Sequence, residues 1–169
     1  MEKGFVHVYT GNGKGKSTAA FGLAMRARGA GYKVLIIQFL KGQTYSEHSS
    51  FEKLGIDYEL YGTKEFIVGE PSQEARNLCK MGLKRAKKAF EEGYDLVILD
   101  EANVAVYLKA MQLEDLLEVV KSKPEGVELV ITGRYAPKEL LNLADLVTEM
   151  KEVKHYYQKG VQARRGIEM

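Results

Sequence analysis

The 169 residues include no tryptophan, one cysteine and three prolines. A lone cysteine, Cys79, excludes an intramolecular disulfide framework and a cysteine-based zinc or iron–sulfur site. Neither sign of charge is in excess: 25 basic against 23 acidic side chains leave a formal +2. That is not the basic surplus or stripe with which proteins meet nucleic acid, so no such partner is expected. Long apolar runs are missing too. The longest hold about six residues against the ~20 that span a bilayer, so no membrane segment is expected. Met1–Gly4 leads straight into a strand-like run without the apolar core of a signal peptide. What remains is 45% hydrophobic and 28% charged, the composition of an ordinary folded domain. A chain of this size buries enough surface to need no staple, and a single cytoplasmic domain over residues 1–169 is expected.

Short β-branched runs alternate with longer helical patterns. Phe5–Tyr9, Val34–Phe39, Asp95–Leu99 and Val127–Thr132 read as strands, and Leu146–Thr148 as a weaker one. Near-continuous apolar strands between helices indicate an α/β fold, a mostly parallel sheet with helices on both faces. An Ala-rich helix is expected from about Ser17 to Ala30. A second follows Pro71, with Ser72 as N-cap and Gly93 past its end. On it Ala75, Leu78, Cys79, Gly82, Ala86 and Phe90 form one inward stripe, which makes Cys79 a core residue. Lys84–Lys88 falls off that stripe and reads as a solvated face. The three histidines, His7, His48 and His155, are scattered without metal-ligand spacing.

The strongest local signal is Thr10-Gly11-Asn12-Gly13-Lys14-Gly15-Lys16-Ser17-Thr18, between a strand and a helix. Glycines let backbone N–H groups turn toward an anion, and the helix start adds its positive dipole end. Lys16 reaches phosphate oxygens in such loops and the Ser17 hydroxyl ligates Mg²⁺. The loop departs from the common spacing, because Thr10 stands at the first glycine position and Gly11 begins a version one residue shorter. Leu96-Val97-Ile98-Leu99-Asp100-Glu101 supplies the matching acidic strand end. Glu101 is expected as metal ligand, directly or through water, with Asp100 holding the site from behind.

The stretch Gly11–Gly22 resembles the loop of the P-loop class of ATP:corrinoid adenosyltransferases. The likeness continues through Gln38-Phe39-Leu40-Lys41-Gly42 and Leu99-Asp100-Glu101. It is strongest in Ile131-Thr132-Gly133-Arg134, Leu143–Met150 and Gly160–Glu168, which have no general P-loop role. The resemblance implies a RecA-like fold and transfer of the 5′-deoxyadenosyl group of ATP to the Co(I) of a corrinoid, releasing inorganic triphosphate. It implies that the nucleotide lies reversed in the shortened loop, and that Mg²⁺ or Mn²⁺ assists. Co(I) is itself a strong nucleophile, so the protein's task is alignment and charge stabilisation. By correspondence, Arg26 and Arg134 are phosphate contacts beside Lys14 and Lys16, Asn12 touches the nucleoside, and Gln38, Lys41 and Phe66 contact the corrinoid. A homodimer and an external electron donor, a reductase or flavoprotein, are also implied.

Two departures stand out. Family members commonly carry an N-terminal arm, where only four residues precede the first strand here. They also show an aromatic stretch with tryptophan under the corrin, where this chain offers Gly62–Val68 with Phe66, Ile67 and Val68. Without the C-terminal blocks, the residues read as a small P-loop kinase or NTPase. A RecA-like nucleic-acid module is a further alternative, disfavoured by the near-neutral charge.

Overall fold

The apolar runs are strands buried on both faces. In the computed structural model, which describes residues 1–169, six parallel strands form one sheet in the order β3-β2-β4-β5-β1-β6. In chain order the elements are β1 (Val6–Thr10), α1 (Lys16–Gly29), β2 (Val34–Phe39), α2 (Ser46–Leu54) and β3 (Asp57–Tyr61). Then come α3 (Gln73–Glu91), β4 (Leu96–Asp100), α4 (Ala102–Tyr107) and α5 (Leu113–Lys121). The chain continues with β5 (Glu128–Thr132), α6 (Lys138–Leu143), β6 (Leu146–Glu149) and a 3₁₀ turn over Tyr156–Lys159.

Alternation along each strand divides the core in two. Val34 and Ile36 of β2, Leu96 and Ile98 of β4 and Val130 of β5 face α1 and α2, where Ala20, Ala24 and Phe51 meet them. Leu35, Ile37, Val97, Leu99, Leu129 and Ile131 face the opposite way, onto α3, α4, α5 and α6. Burial on both sides explains why these runs show no alternation of polarity, and each Ile or Leu so buried contributes ~1.5–3 kcal/mol.

Helix α3 begins as its sequence indicates. The Ser72 hydroxyl accepts from the Ala75 N–H at 3.1 Å, and Gly93 follows the end at φ 76°. Its buried stripe is Ala75, Cys79, Gly82, Leu83, Ala86 and Ala89, with Leu78 and Phe90 only half-buried. Cys79 is a core residue, its thiol pushed up to about 12 by burial. Gly82 is small for a reason: a Cβ there would stand 2.5 Å from a ring carbon of the fully buried Phe39.

Parallel strands place their C-terminal ends along one edge, where open α/β sheets bind ligands. The loop after β1, Lys41 after β2, Asp100 and Glu101 at the end of β4, and Thr132 to Arg134 after β5 all come to that edge. Register brings Gln38 directly opposite Asp100.

Candidate active site

After Thr10 the chain turns through Gly11 at φ 100° and Gly15 at φ 117°, left-handed values that a side chain would strain. The loop is braced from outside: the Gly13 N–H donates to the Met150 carbonyl at 2.7 Å. Cβ atoms on Gly11 or Gly13 would lie 2.4 and 2.7 Å from that same oxygen. The glycines thus serve close approach to the segment after β6 as well as loop curvature.

A cleft of about 920 Å³ opens over the start of α1, lined among others by Lys16, Ser17, Lys41, Glu101, Arg134 and Glu168. The Lys16 ammonium is buried and donates to the Gly13 carbonyl at 2.7 Å. Burial, then the Arg134 charge, lowers its pKa, so this cation is short of solvation and favours an anion.

Asp100 is fully buried at the floor. Its Oδ1 accepts from Ser17 Oγ at 2.6 Å and from Thr132 Oγ1 at 2.7 Å. Its Oδ2 accepts from Gln38 Nε2 at 3.0 Å, with Lys41 Nζ 3.8 Å away. Ser17 gives its only hydroxyl proton to Asp100, which leaves its lone pairs for a ligand in the cleft.

Glu101 follows at φ 63°, a left-handed conformation costly for a side-chain-bearing residue, held by its N–H donating to Thr132 Oγ1 at 3.1 Å. Its carboxyl pKa is raised by burial first and by Asp100 second, with Lys41, Lys16 and Arg134 opposing. No donor of the chain is hydrogen-bonded to that carboxylate. A desolvated carboxylate and a serine with free lone pairs on one cleft are hard oxygen donors of the kind that fits Mg²⁺. Behind Arg134, the Asn103 amide donates to the Gly133 carbonyl at 3.0 Å and pins the turn that carries the arginine.

The C-terminal segment covers one side. Lys14 Nζ donates to Tyr156 Oη and to Glu168 Oε1, both at 2.8 Å. Glu168 also accepts from the Tyr156 hydroxyl and from the Arg164 backbone and guanidinium. Arg164 first, then Lys14 and Tyr156, hold its carboxyl far below the usual range.

The structure therefore gathers Gly13, Lys14, Gly15, Lys16, Ser17, Thr18, Lys41, Glu101 and Arg134 in one cleft, with Asp100 beneath them. It does not bring Gln38, Phe66 or Arg26 to it. Gln38 is fully buried under the floor, so a corrinoid contact there is corrected to an internal link. Phe66 lies on an irregular loop away from the cleft lining, 85% exposed. Arg26 is solvated near the far end of α1, about 15 Å along the helix from Lys16 at 1.5 Å per residue. Gly11 and Asn12 also lie outside the lining, Asn12 exposed to solvent. Thr132, Glu168 and His48 are the site's unforeseen members. Thr132 and Glu168 stood inside the C-terminal blocks of the resemblance, whereas His48 gave no signal within its polar stretch.

Comparison with known proteins gives the family and the fold. The family model described as "ATP:corrinoid adenosyltransferase BtuR/CobO/CobP" matches residues 2–169. The corrinoid adenosyltransferase of Escherichia coli (strain K12) is 36% identical over 169 residues, covering 99% of this chain and 86% of that protein. Among solved structures, the RadB recombinase aligns with a TM-score of 0.51 at 14% identity, over 91% of this chain and 77% of that one. A KaiC-like protein from Pyrococcus horikoshii OT3 aligns at 0.53 and 19%, over 87% and 73%. At such identities the likeness concerns the fold alone, and it is the RecA-like fold that the sequence led us to expect.

Proposed function

Because this chain belongs to the ATP:corrinoid adenosyltransferase family BtuR/CobO/CobP, we propose how its cleft carries out transfer of the 5′-deoxyadenosyl group of ATP to a corrinoid. The Co(I) of the corrinoid substrate donates an electron pair to C5′ of ATP. The C5′–O bond breaks, a Co–C bond forms, and the bond's electrons leave with inorganic triphosphate.

The observation that carries the site assignment is the floor. Buried Asp100 holds Ser17, and the unpaired Glu101 carboxylate lies with Lys16 and Arg134 on the same cleft. Lys16, Lys14 and Arg134 take the triphosphate, and the loop amides not used by Met150 add to them. Ser17 and Glu101 would hold Mg²⁺, with Asp100 fixing Ser17 from behind; the bound ion would supply positive charge near the departing phosphates. Fixed cations in a partly desolvated cleft stabilise charge that grows on the leaving group, which is where such a site gains most. Lys41, between Glu47 at 3.2 Å and Asp100, is placed to meet a carboxamide or phosphate of either substrate.

Co(I) must be made by an external reductase, since the one thiol of the chain is buried and cannot act as a dithiol donor. A homodimer and a cytoplasmic setting belong to the same proposal. So does the lack of a nucleic-acid partner, given the small net charge. No helix is long and apolar enough to cross a membrane.

The test is incubation with Mg-ATP and chemically reduced cobalamin. A light-sensitive Co–C product with one equivalent of triphosphate is expected. ADP with unchanged corrinoid indicates a kinase or NTPase instead and overturns the proposal.

A further inference from the structure

Beneath the cleft runs a chain of buried polar side chains of which the proposed function uses only Asp100. His48 on α2 is 2% exposed, and Gln38, Asp100 and Thr132 are fully buried. The Tyr45 N–H donates to His48 Nδ1 at 2.7 Å, closer than the Tyr45 carbonyl at 3.2 Å, which favours a bare Nδ1 with the ring proton on Nε2. Nε2 meets Gln38 Oε1 at 2.5 Å, and Gln38 Nε2 reaches Asp100 Oδ2 at 3.0 Å. Every hydrogen in this series points the same way, from the start of α2 to the carboxylate that receives the Ser17 hydroxyl.

We propose that His48, acting through Gln38, is a positioning residue that sets the Asp100 carboxylate and hence the Ser17 oxygen for the metal–nucleotide. It rests on the assignment of Ser17 and Asp100 given above. The physical need is clear from the amide. The two ends of a glutamine side chain are nearly isosteric, so Gln38 can present either NH₂ or C=O to Asp100. With C=O forward, two oxygens would face each other in a fully buried site, and a buried acceptor would lose its donor. The carboxylate favours NH₂ forward, and a fixed donor behind Oε1, His48 Nε2, locks the amide in that orientation.

Packing alone does not call for an imidazole here. The ring sits edge-on to Phe51 at 5.7 Å between centroids and 4.6 Å from the Tyr58 ring, a pocket a phenylalanine could fill without burying two nitrogens. The same helix lends Ser46, Glu47, Ser50 and Phe51 to the cleft wall, so His48 also bonds that wall to the floor.

The experiment compares the wild type with His48→Phe, His48→Gln and Gln38→Met. It measures KM for Mg²⁺-ATP and for corrinoid, melting temperature, and Kd for a fluorescent ATP analogue without corrinoid, in Mg²⁺ and in EDTA. His48→Phe is expected to weaken Mg²⁺-nucleotide binding about 10–100-fold, the usual effect of losing a group that orients a metal ligand. Binding in EDTA and the corrinoid KM should stay within about two-fold, again unlike a general loss of structure. His48→Gln keeps a donor and should restore most of the affinity. Nitrogen NMR of the wild-type ring should show its proton on Nε2. Unchanged Mg²⁺-nucleotide affinity in His48→Phe overturns the proposal. A parallel fall in every parameter without rescue by His48→Gln, or a ring proton on Nδ1, overturns it too. If His48→Phe does not fold, Gln38→Met cuts the next link and the NMR tautomer reads the first. Formation of ADP by the wild type would remove the transfer reading, while the binding measurements would still decide the role of His48.

Discussion

Lys16 and Glu101 are both buried beyond what their charges favour, and in opposite senses. Burial lowers the lysine pKa and raises that of the glutamate, so each lacks in the chain itself the full counter-charge it needs. Lys16→Met is expected to lower kcat/KM about 10²–10³-fold, the scale for losing one charge-stabilising donor, without lowering the melting temperature. For Glu101 the sign follows from linkage. A carboxyl with a raised folded pKa binds more protons folded than unfolded, so stability falls as pH rises from the unfolded value through the folded one. Glu101→Gln removes that penalty. It should raise the melting temperature at pH 7 and change it least near pH 4, while transfer activity falls. Calorimetry at the two pH values checks this.

At the scale of elements, α3 lies on β2 and β3 as closely as backbone allows at Gly82. Gly82→Ala would drive a methyl into Phe39 and Tyr61, neither free to move far, and should cost about 1–3 kcal/mol by denaturant titration. Cys79, one turn earlier and 1% exposed, should resist alkylation at pH 8 in the folded protein and react at once in guanidinium. These positions also show what was legible in the sequence. The runs of β2, β4 and β5 are unmistakable, because central parallel strands bury both faces. Strand β3 is not, since Asp57 and Glu59 interrupt it and only an edge position tolerates them. The six-residue helices α4 and α6 are too short for a period to declare itself. In the site, Lys16, Ser17 and Glu101 were readable from local motifs. Gln38 and His48 were not, because their roles arise from strand register and from helix docking across the sheet edge, neither of which a local window contains.

Across the whole molecule, the C-terminal segment is tied to the phosphate loop through Lys14, which donates to both Glu168 and Tyr156. Pairs this exposed add little to global stability. Glu168→Gln should therefore leave the melting temperature nearly unchanged, yet speed trypsin cleavage at Arg164 and Arg165 in a timed digest. The strand order has a consequence in time. The strand that carries the phosphate loop, β1, leaves the ribosome first, but its two sheet partners are β5 and β6, more than a hundred residues later. The loop itself leans on Met150, later still. Pairings of such sequence separation form slowly and only once both partners exist. A nascent chain short of β6 therefore has its glycines and lysines but no cradle. ATP cannot assist the folding of this protein before β6 is made and can reward only a chain synthesised past Met150.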